Sequence, residues 1–195
     1  MRRLRRAELP VDTVALARFL LGTVVVSDVP PGRVTARIVE TEAYLPGDAA
    51  AHSFRGKTAR NGSLFLRRGH AYVYFIYGNH FCLNVSSDDE GVGAGVLLRA
   101  AEPLSGREFM RARRPHAAER DLCRGPGRLA AALAVDRSFD GIDLTRAGPL
   151  WLAASGDGVD IGESVRIGLT KEADRRLRFF ERNNSYVSGT RSLNG

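Results

Sequence analysis

The sequence predicts an α+β fold, one domain around a mixed or antiparallel sheet. Three observations point there. The 195 residues suit a single domain, and a chain of this length buries roughly 70% of its unfolded surface without disulfide staples. Apolar residues make up 44% and charged residues 26%, an ordinary globular balance that excludes wholesale disorder. Strand-like and helix-like segments intermix without the regular βαβ alternation of a parallel sheet. The expected domain is 1–195, with 1–8 as a disordered basic arm and 189–195 as a disordered tail.

Element by element, Asp12 can cap a helix to about Leu21, with Val14, Leu16, Ala17, Leu20 and Leu21 as its apolar face and Gly22 as its stop. Thr23–Val26 is β-branched and reads as a strand. After the Pro30-Pro31-Gly32 turn, Arg33–Tyr44 reads as a longer strand that puts Val34, Ala36, Ile38, Glu40 and Glu42 on one face. Pro46–Gly62 is a polar loop of functional length. Ala71–Tyr77, dense in aromatic and β-branched residues, is a strand; Gly78-Asn79 is a two-residue hairpin turn; His80–Val85 is the return strand. Gly93–Ala101 is a further strand, and Ser105 can cap a helix through about Arg114. Gly125-Pro126-Gly127 breaks the chain before a helix over Arg128–Val135. Short strands follow around 150–154, 164–169 and 177–180.

Several function classes drop out. Cys82 and Cys123 form no CxxC pair, so neither a zinc site nor a disulfide framework is expected, nor any other metal or cofactor. No apolar run reaches 18 residues, which argues against a membrane span. The basic start ahead of Val14–Val26 mimics a signal peptide, but Asp12 and Arg18 spoil the apolar run and no Ala-x-Ala follows. A cytoplasmic location is therefore expected. The formal charge of +7 is weak evidence for a polyanionic partner, since Arg2, Arg3, Arg5 and Arg6 supply four of those charges. The distribution says more: residues 49–87 contain no acid but carry Arg55, Lys57, Arg60, Arg67 and Arg68, a surface suited to phosphates or simply to water.

Several residues are chemically conspicuous. Glu40 and Glu42 lie on one side of a mostly apolar strand, where a carboxylate is costly unless paired or used, so one can orient the other; exposed edge-strand acids would give the same pattern. Tyr77 stands at the hairpin tip, where a large ring can wedge into a base stack or fold back onto the core. Tyr44, Tyr74 and His52 supply flat rings that can sandwich a base or pack in a core. Asn84 and Arg99 each interrupt an apolar strand and need a partner there: Asn has a donor and an acceptor, and Arg can hold a carboxylate.

Together the segments Ile38-Val39-Glu40-Thr41-Glu42-Ala43-Tyr44-Leu45, Ala50-Ala51-His52-Ser53, Thr58-Ala59-Arg60-Asn61, Tyr72-Val73-Tyr74 through Ile76-Tyr77-Gly78, Phe81–Ser86 and Val96–Ala100 resemble, in order, the alkyladenine (3-methyladenine) DNA glycosylase family. Weaker similarity runs through Leu122–Pro126 to Leu177–Phe180. The resemblance implies a single mixed domain with a curved, largely antiparallel sheet, flanking helices and a protruding β-hairpin. It also implies a base-excision repair hydrolase that releases alkylated or deaminated purines from double-stranded DNA, acting as a monomer at the nucleoid. By it, Glu42 is the general base and Arg99 positions nucleotide and water. Tyr44, His52, Tyr74 and Asn84 form the base pocket, Tyr77 is the intercalating wedge, and Arg55, Lys57, Arg60 and Arg128 meet the DNA backbone. The alternative class is a binding module that recognises damaged DNA or structured RNA without chemistry. Asn79-His80 at the tip are smaller and more polar than is usual in relatives. The only lysines, Lys57 and Lys171, lie outside apolar strands, which argues against Schiff-base lyase chemistry.

Overall fold

The longest strands run side by side at the centre. The computed structural model describes residues 1–76, 78–154 and 158–194. In it β2 (Val34–Tyr44) pairs antiparallel with β5 (Gly95–Ser105), and the sheet continues outward on both sides. On one side lie β4 (His80–Ser86) and then β3 (Ala71–Ile76); on the other lie β1 (Val24–Ser27) and β6 (Leu150–Ala153). The far half of β2, Glu40–Glu42, instead takes β8 (Arg178–Glu181), which carries β7 (Ile161–Ser164). Every one of these pairings is antiparallel, and the sheet curls because β2 changes partner halfway along one edge.

That change of partner coincides with register shifts between Ile38, Glu40 and Thr41 of β2, which lie opposite Ala101, Ala100 and Leu98 of β5. Irregularities of this kind re-aim side chains. Here they correct the strand reading. Val34, Ala36 and Ile38 join the main core together with Ala43, while Thr41 reaches the Ala17 carbonyl of α1 (Thr13–Leu20). Val39 joins a separate small core with Ala100, Phe180 and Val187. Glu40 and Glu42 therefore do share a face, as expected, but not with Val34, Ala36 and Ile38.

Helix α1 starts where expected: the Asp12 carboxylate accepts from the Ala15 amide at 2.8 Å, and Leu16, Ala17 and Leu20 are buried. The next helix does not start as expected. Ser105 remains in β5, its hydroxyl 2.7 Å from that of Thr35, and α2 (Arg107–Arg113) follows Gly106. Gly106 has φ +71°, and a Cβ there would lie 2.3 Å from the Arg33 carbonyl oxygen, so the chain needs glycine, not a serine cap. Helix α3 begins two residues early, at Pro126, and runs to Ala132, with Pro in the first turn, where its missing N–H costs nothing.

The hairpin is β3 with β4. Its inner half is anchored, since β4 pairs with β5 over Asn84–Ser86 only, and its outer half, Tyr74–Ile76 with His80–Cys82, projects past the sheet. The last described pair is Ile76 with His80, and Gly78-Asn79 lie in the turn that precedes His80. Tyr77, the expected wedge, lies outside the described residues.

Both chain ends depart from the expectation of a loose arm and tail. Leu4 is buried and its amide donates to the Leu152 carbonyl at 2.9 Å, because β6 has an open edge to complete; Arg6 reaches the Arg68 carbonyl and Asp143. At the other end the Leu193 carbonyl and the Asn194 side chain accept from Arg178 at 3.1 and 2.8 Å, and α4 (Arg191–Asn194) caps that corner. No helix of the described residues is long and apolar enough to cross a membrane.

Candidate active site

A cavity of about 200 Å³ opens between the hairpin base, the start of α3 and the loop after β7. Tyr44, His52, Tyr74, Asn84 and Arg99 line it, so five residues singled out from the sequence converge on one place. His52 comes from the Pro46–Gly62 loop, where Asn61 pins it by donating to its carbonyl at 2.9 Å. The His52 and Tyr74 rings meet nearly edge-on at 4.4 Å between centroids. Tyr72 stacks against Tyr74 at 5.4 Å, and its hydroxyl lies 2.9 Å from His52 Nδ1. Burial pushes the Tyr72 hydroxyl up to about 12, so it stays protonated. The Asn84 amide donates to the Tyr72 carbonyl at 3.1 Å, which leaves its oxygen for the cavity.

Glu42 is fully buried directly behind this wall. Its Oε1 accepts from the Ile167 amide at 2.8 Å and lies 3.2 Å from Arg99 Nη1. Its Oε2 accepts from the Tyr44 hydroxyl at 2.9 Å, and among the described residues it has no second partner. Burial, together with the adjacent Glu42 carboxylate, pushes the Tyr44 hydroxyl well above its usual range, which keeps that proton on the tyrosine. The result is a carboxylate held on one oxygen and left with acceptor capacity on the other, next to three cavity-lining groups: Tyr44, Arg99 and Ile167.

Arg99 serves two acids. Its Nε donates to Glu40 at 3.0 Å while Nη1 faces Glu42, so two nitrogens of the rigid guanidinium fork each meet a different acid. Glu40 is fully buried and also receives Arg178 Nε at 2.6 Å, the Ser188 amide at 2.7 Å and the Ser188 hydroxyl at 2.9 Å. Burial works against its charge, but the two guanidiniums outweigh that and hold its carboxyl below the usual range.

Three structural partners escaped the sequence reading. Arg178 interrupts the apolar run Leu177–Phe180 just as Arg99 interrupts its own, so the same signal was present. Asp48 and Arg166 form a fully buried ion pair, and Arg166 lies 4.7 Å from the Tyr44 ring centroid, fixing the ring by a cation–π contact. Asp48 sits in a polar loop where nothing local marks it, whereas Arg166, 118 positions away, interrupts the apolar Val165–Ile167 run much as Arg178 interrupts its own. Of the expected backbone contacts, Arg55 and Arg60 line a groove next to the cavity, together with Lys171. Lys57 is exposed on the same loop. Arg128 is exposed on α3, where it pairs with Asp121 at 3.1 Å. Among the described residues no group of three or more His, Cys, Asp or Glu side chains is placed to hold a metal ion.

Residues 7–185 match the family model described as methylpurine-DNA glycosylase. A protein of Mesorhizobium japonicum is 62% identical over 189 residues, covering 96% of this chain and 91% of its own length. One from Paraburkholderia phytofirmans is 52% identical over 191 residues, covering 97% and 90%, and one from Koribacter versatilis is 48% identical over 196 residues, covering 97% and 95%. All three carry the provisional name 3-methyladenine DNA glycosylase.

Proposed function

The chain belongs to the methylpurine-DNA glycosylase family, hydrolases that cleave N-glycosidic bonds, and from that premise we propose that its cavity receives a damaged purine turned out of duplex DNA and that Glu42 drives its release. The substrates are alkylated or deaminated purines of the 3-methyladenine, 7-methylguanine and hypoxanthine type. The single observation that carries this reading is the buried Glu42 carboxylate with one oxygen still able to accept, set behind a cavity walled by aromatic rings.

The chemistry follows from the charges. Alkylation at N3 or N7 makes the purine cationic, so the glycosidic electron pair leaves with it readily and positive charge builds on the sugar. Glu42 stabilises that charge and takes a proton from the water whose oxygen bonds to C1′, leaving an abasic site. A positioned general base supplies roughly 10²–10⁴-fold; orientation and fixed charges supply the rest. Stacking a cationic purine against Tyr44, Tyr74 and His52 adds about 0.5–2 kcal/mol per favourable cation–π contact. A neutral lesion must be chosen by shape and by edge contacts such as the Asn84 amide.

The test is a panel of duplexes, each with one lesion, incubated with the protein and then cleaved by alkali. Scission at the hypoxanthine and 7-methylguanine positions, and none in undamaged DNA, is the expected result. Retention of lesion duplexes without scission would instead favour the binding-module reading.

No covalent protein–DNA adduct should form on borohydride treatment, because Lys57 and Lys171 are both exposed and neither lies in an apolar pocket suited to a Schiff-base amine; a trapped adduct would refute single-function hydrolysis. Replacing Tyr77 by Ala weakens binding to lesion duplex by more than about 1 kcal/mol in a fluorescence titration, since a base stacked on an aromatic contributes roughly 1–3 kcal/mol; unchanged affinity would remove Tyr77 from the interface. Affinity falls as salt rises, because Arg55, Lys57, Arg60 and Arg128 displace counterions from phosphates; a flat titration would count against these contacts. We place the protein in the cytoplasm, acting as a monomer on nucleoid DNA.

A further inference from the structure

We propose that Glu40 is a positioning residue for catalysis, and that the C-terminal segment around Ser188 acts on base release through it without touching substrate. The inference rests on the reading of Glu42 as the general base. Among the described residues Arg99 is the one side chain that bonds to both acids: its Nε meets Glu40 at 3.0 Å and its Nη1 meets Glu42 at 3.2 Å. With one face of the guanidinium fork fixed on Glu40, rotation of Arg99 is restricted and Nη1 stays on the Glu42 oxygen that also takes the Ile167 amide. Oε2 is thereby left with its Tyr44 bond and its remaining acceptor capacity.

Glu40 is itself built into place from the far end of the chain. The Ser188 amide and hydroxyl occupy both of its oxygens. Arg178 donates to Glu40 and is held by the Ser164 hydroxyl at 2.7 Å, the Ser188 carbonyl at 2.9 Å and the Leu193 carbonyl at 3.1 Å. Arg124 in turn donates to the Val187 carbonyl at 2.8 Å, which ties this segment to the strand edge beside Ala100. A buried acid with two arginines and a hydroxyl is more than Arg99 needs for charge balance; it fixes an orientation.

Single-turnover base release and lesion-duplex affinity, measured on the full chain, test this. Glu40→Gln should lower the release rate by about 10²-fold, the loss expected when a catalytic group is misplaced by about 1 Å, with affinity unchanged. Ser188→Ala removes one hydroxyl and keeps the amide bond, so it is the variant that folds whatever Glu40→Gln does; it should slow release by about tenfold, as for loss of a hydrogen bond to a charged group, again without loss of affinity. In the Glu40→Gln background the Ser188→Ala effect should vanish, because both act on the same carboxylate. Wild-type release by Ser188→Ala, a parallel loss of affinity in either variant, or additive effects in the pair would each overturn the proposal. Full activity in Glu42→Gln would instead overturn the reading of the base itself, so the two failures are distinguishable.

Discussion

Glu42→Gln is expected to abolish base release while leaving lesion-duplex binding within error of the native protein. The substitution is nearly isosteric. Its amide oxygen can keep the Ile167 and Arg99 contacts, and its amide nitrogen can donate to the Tyr44 hydroxyl, so the cavity wall stays as it is. What disappears is the negative charge and the proton acceptor. The general-base contribution alone is about 10²–10⁴-fold, and the lost stabilisation of the sugar cation adds to it. Equal loss of binding and release would mean that Glu42 only holds the fold together.

The largest stability effect is expected from Arg178→Met. The side chain is fully buried, donates to Glu40, Ser164, Ser188, Leu193 and Asn194, and lies 4.7 Å from the Phe180 ring centroid. Met can fill the volume, but among the described residues it leaves the Glu40 carboxylate with Arg99 as its one remaining cation. Breaking a buried pair in this way costs about 3–5 kcal/mol, readable as a lower urea midpoint at unchanged slope. A change under about 1 kcal/mol would show that the cluster is solvated. The same carboxylate ties stability to acid. Its folded pKa lies below its unfolded value, so its contribution is complete above the ordinary carboxylate range and is lost as pH falls through the folded pKa. The native protein should therefore lose stability on acidification more steeply than Glu40→Gln.

Local chemistry made much of the molecule legible. Asp12 announced α1, the aromatic and β-branched run 71–77 announced the strand that β3 forms over Ala71–Ile76, and the polar interruptions at Asn84 and Arg99 announced side chains that needed partners. Where an alternative was decided by contacts between distant segments, the sequence was mute or misleading. Ser105 looked like a helix cap, yet Thr35 draws it into β5, and the close approach to Arg33 demands Gly106 at the boundary. The chain ends looked loose because their own residues are polar and basic; they pack because β6 offers an open edge and Arg178 offers donors.

By itself, then, the sequence determined the fold class, the family resemblance and the five polar and aromatic residues Tyr44, His52, Tyr74, Asn84 and Arg99 of the cavity lining, because apolar periodicity and polar interruptions are properties of short stretches. Only the tertiary structure decided which way Glu40 and Glu42 face, that Arg99 joins them, and that Arg166 and Arg178 hold the Tyr44 ring and the Glu40 carboxylate. The reason is physical: a buried charge is tolerated only where its counter-charges arrive, and here they arrive from distant segments, 59 positions away for Arg99 and Glu40, 118 for Arg166 and Asp48, and 138 for Arg178 and Glu40.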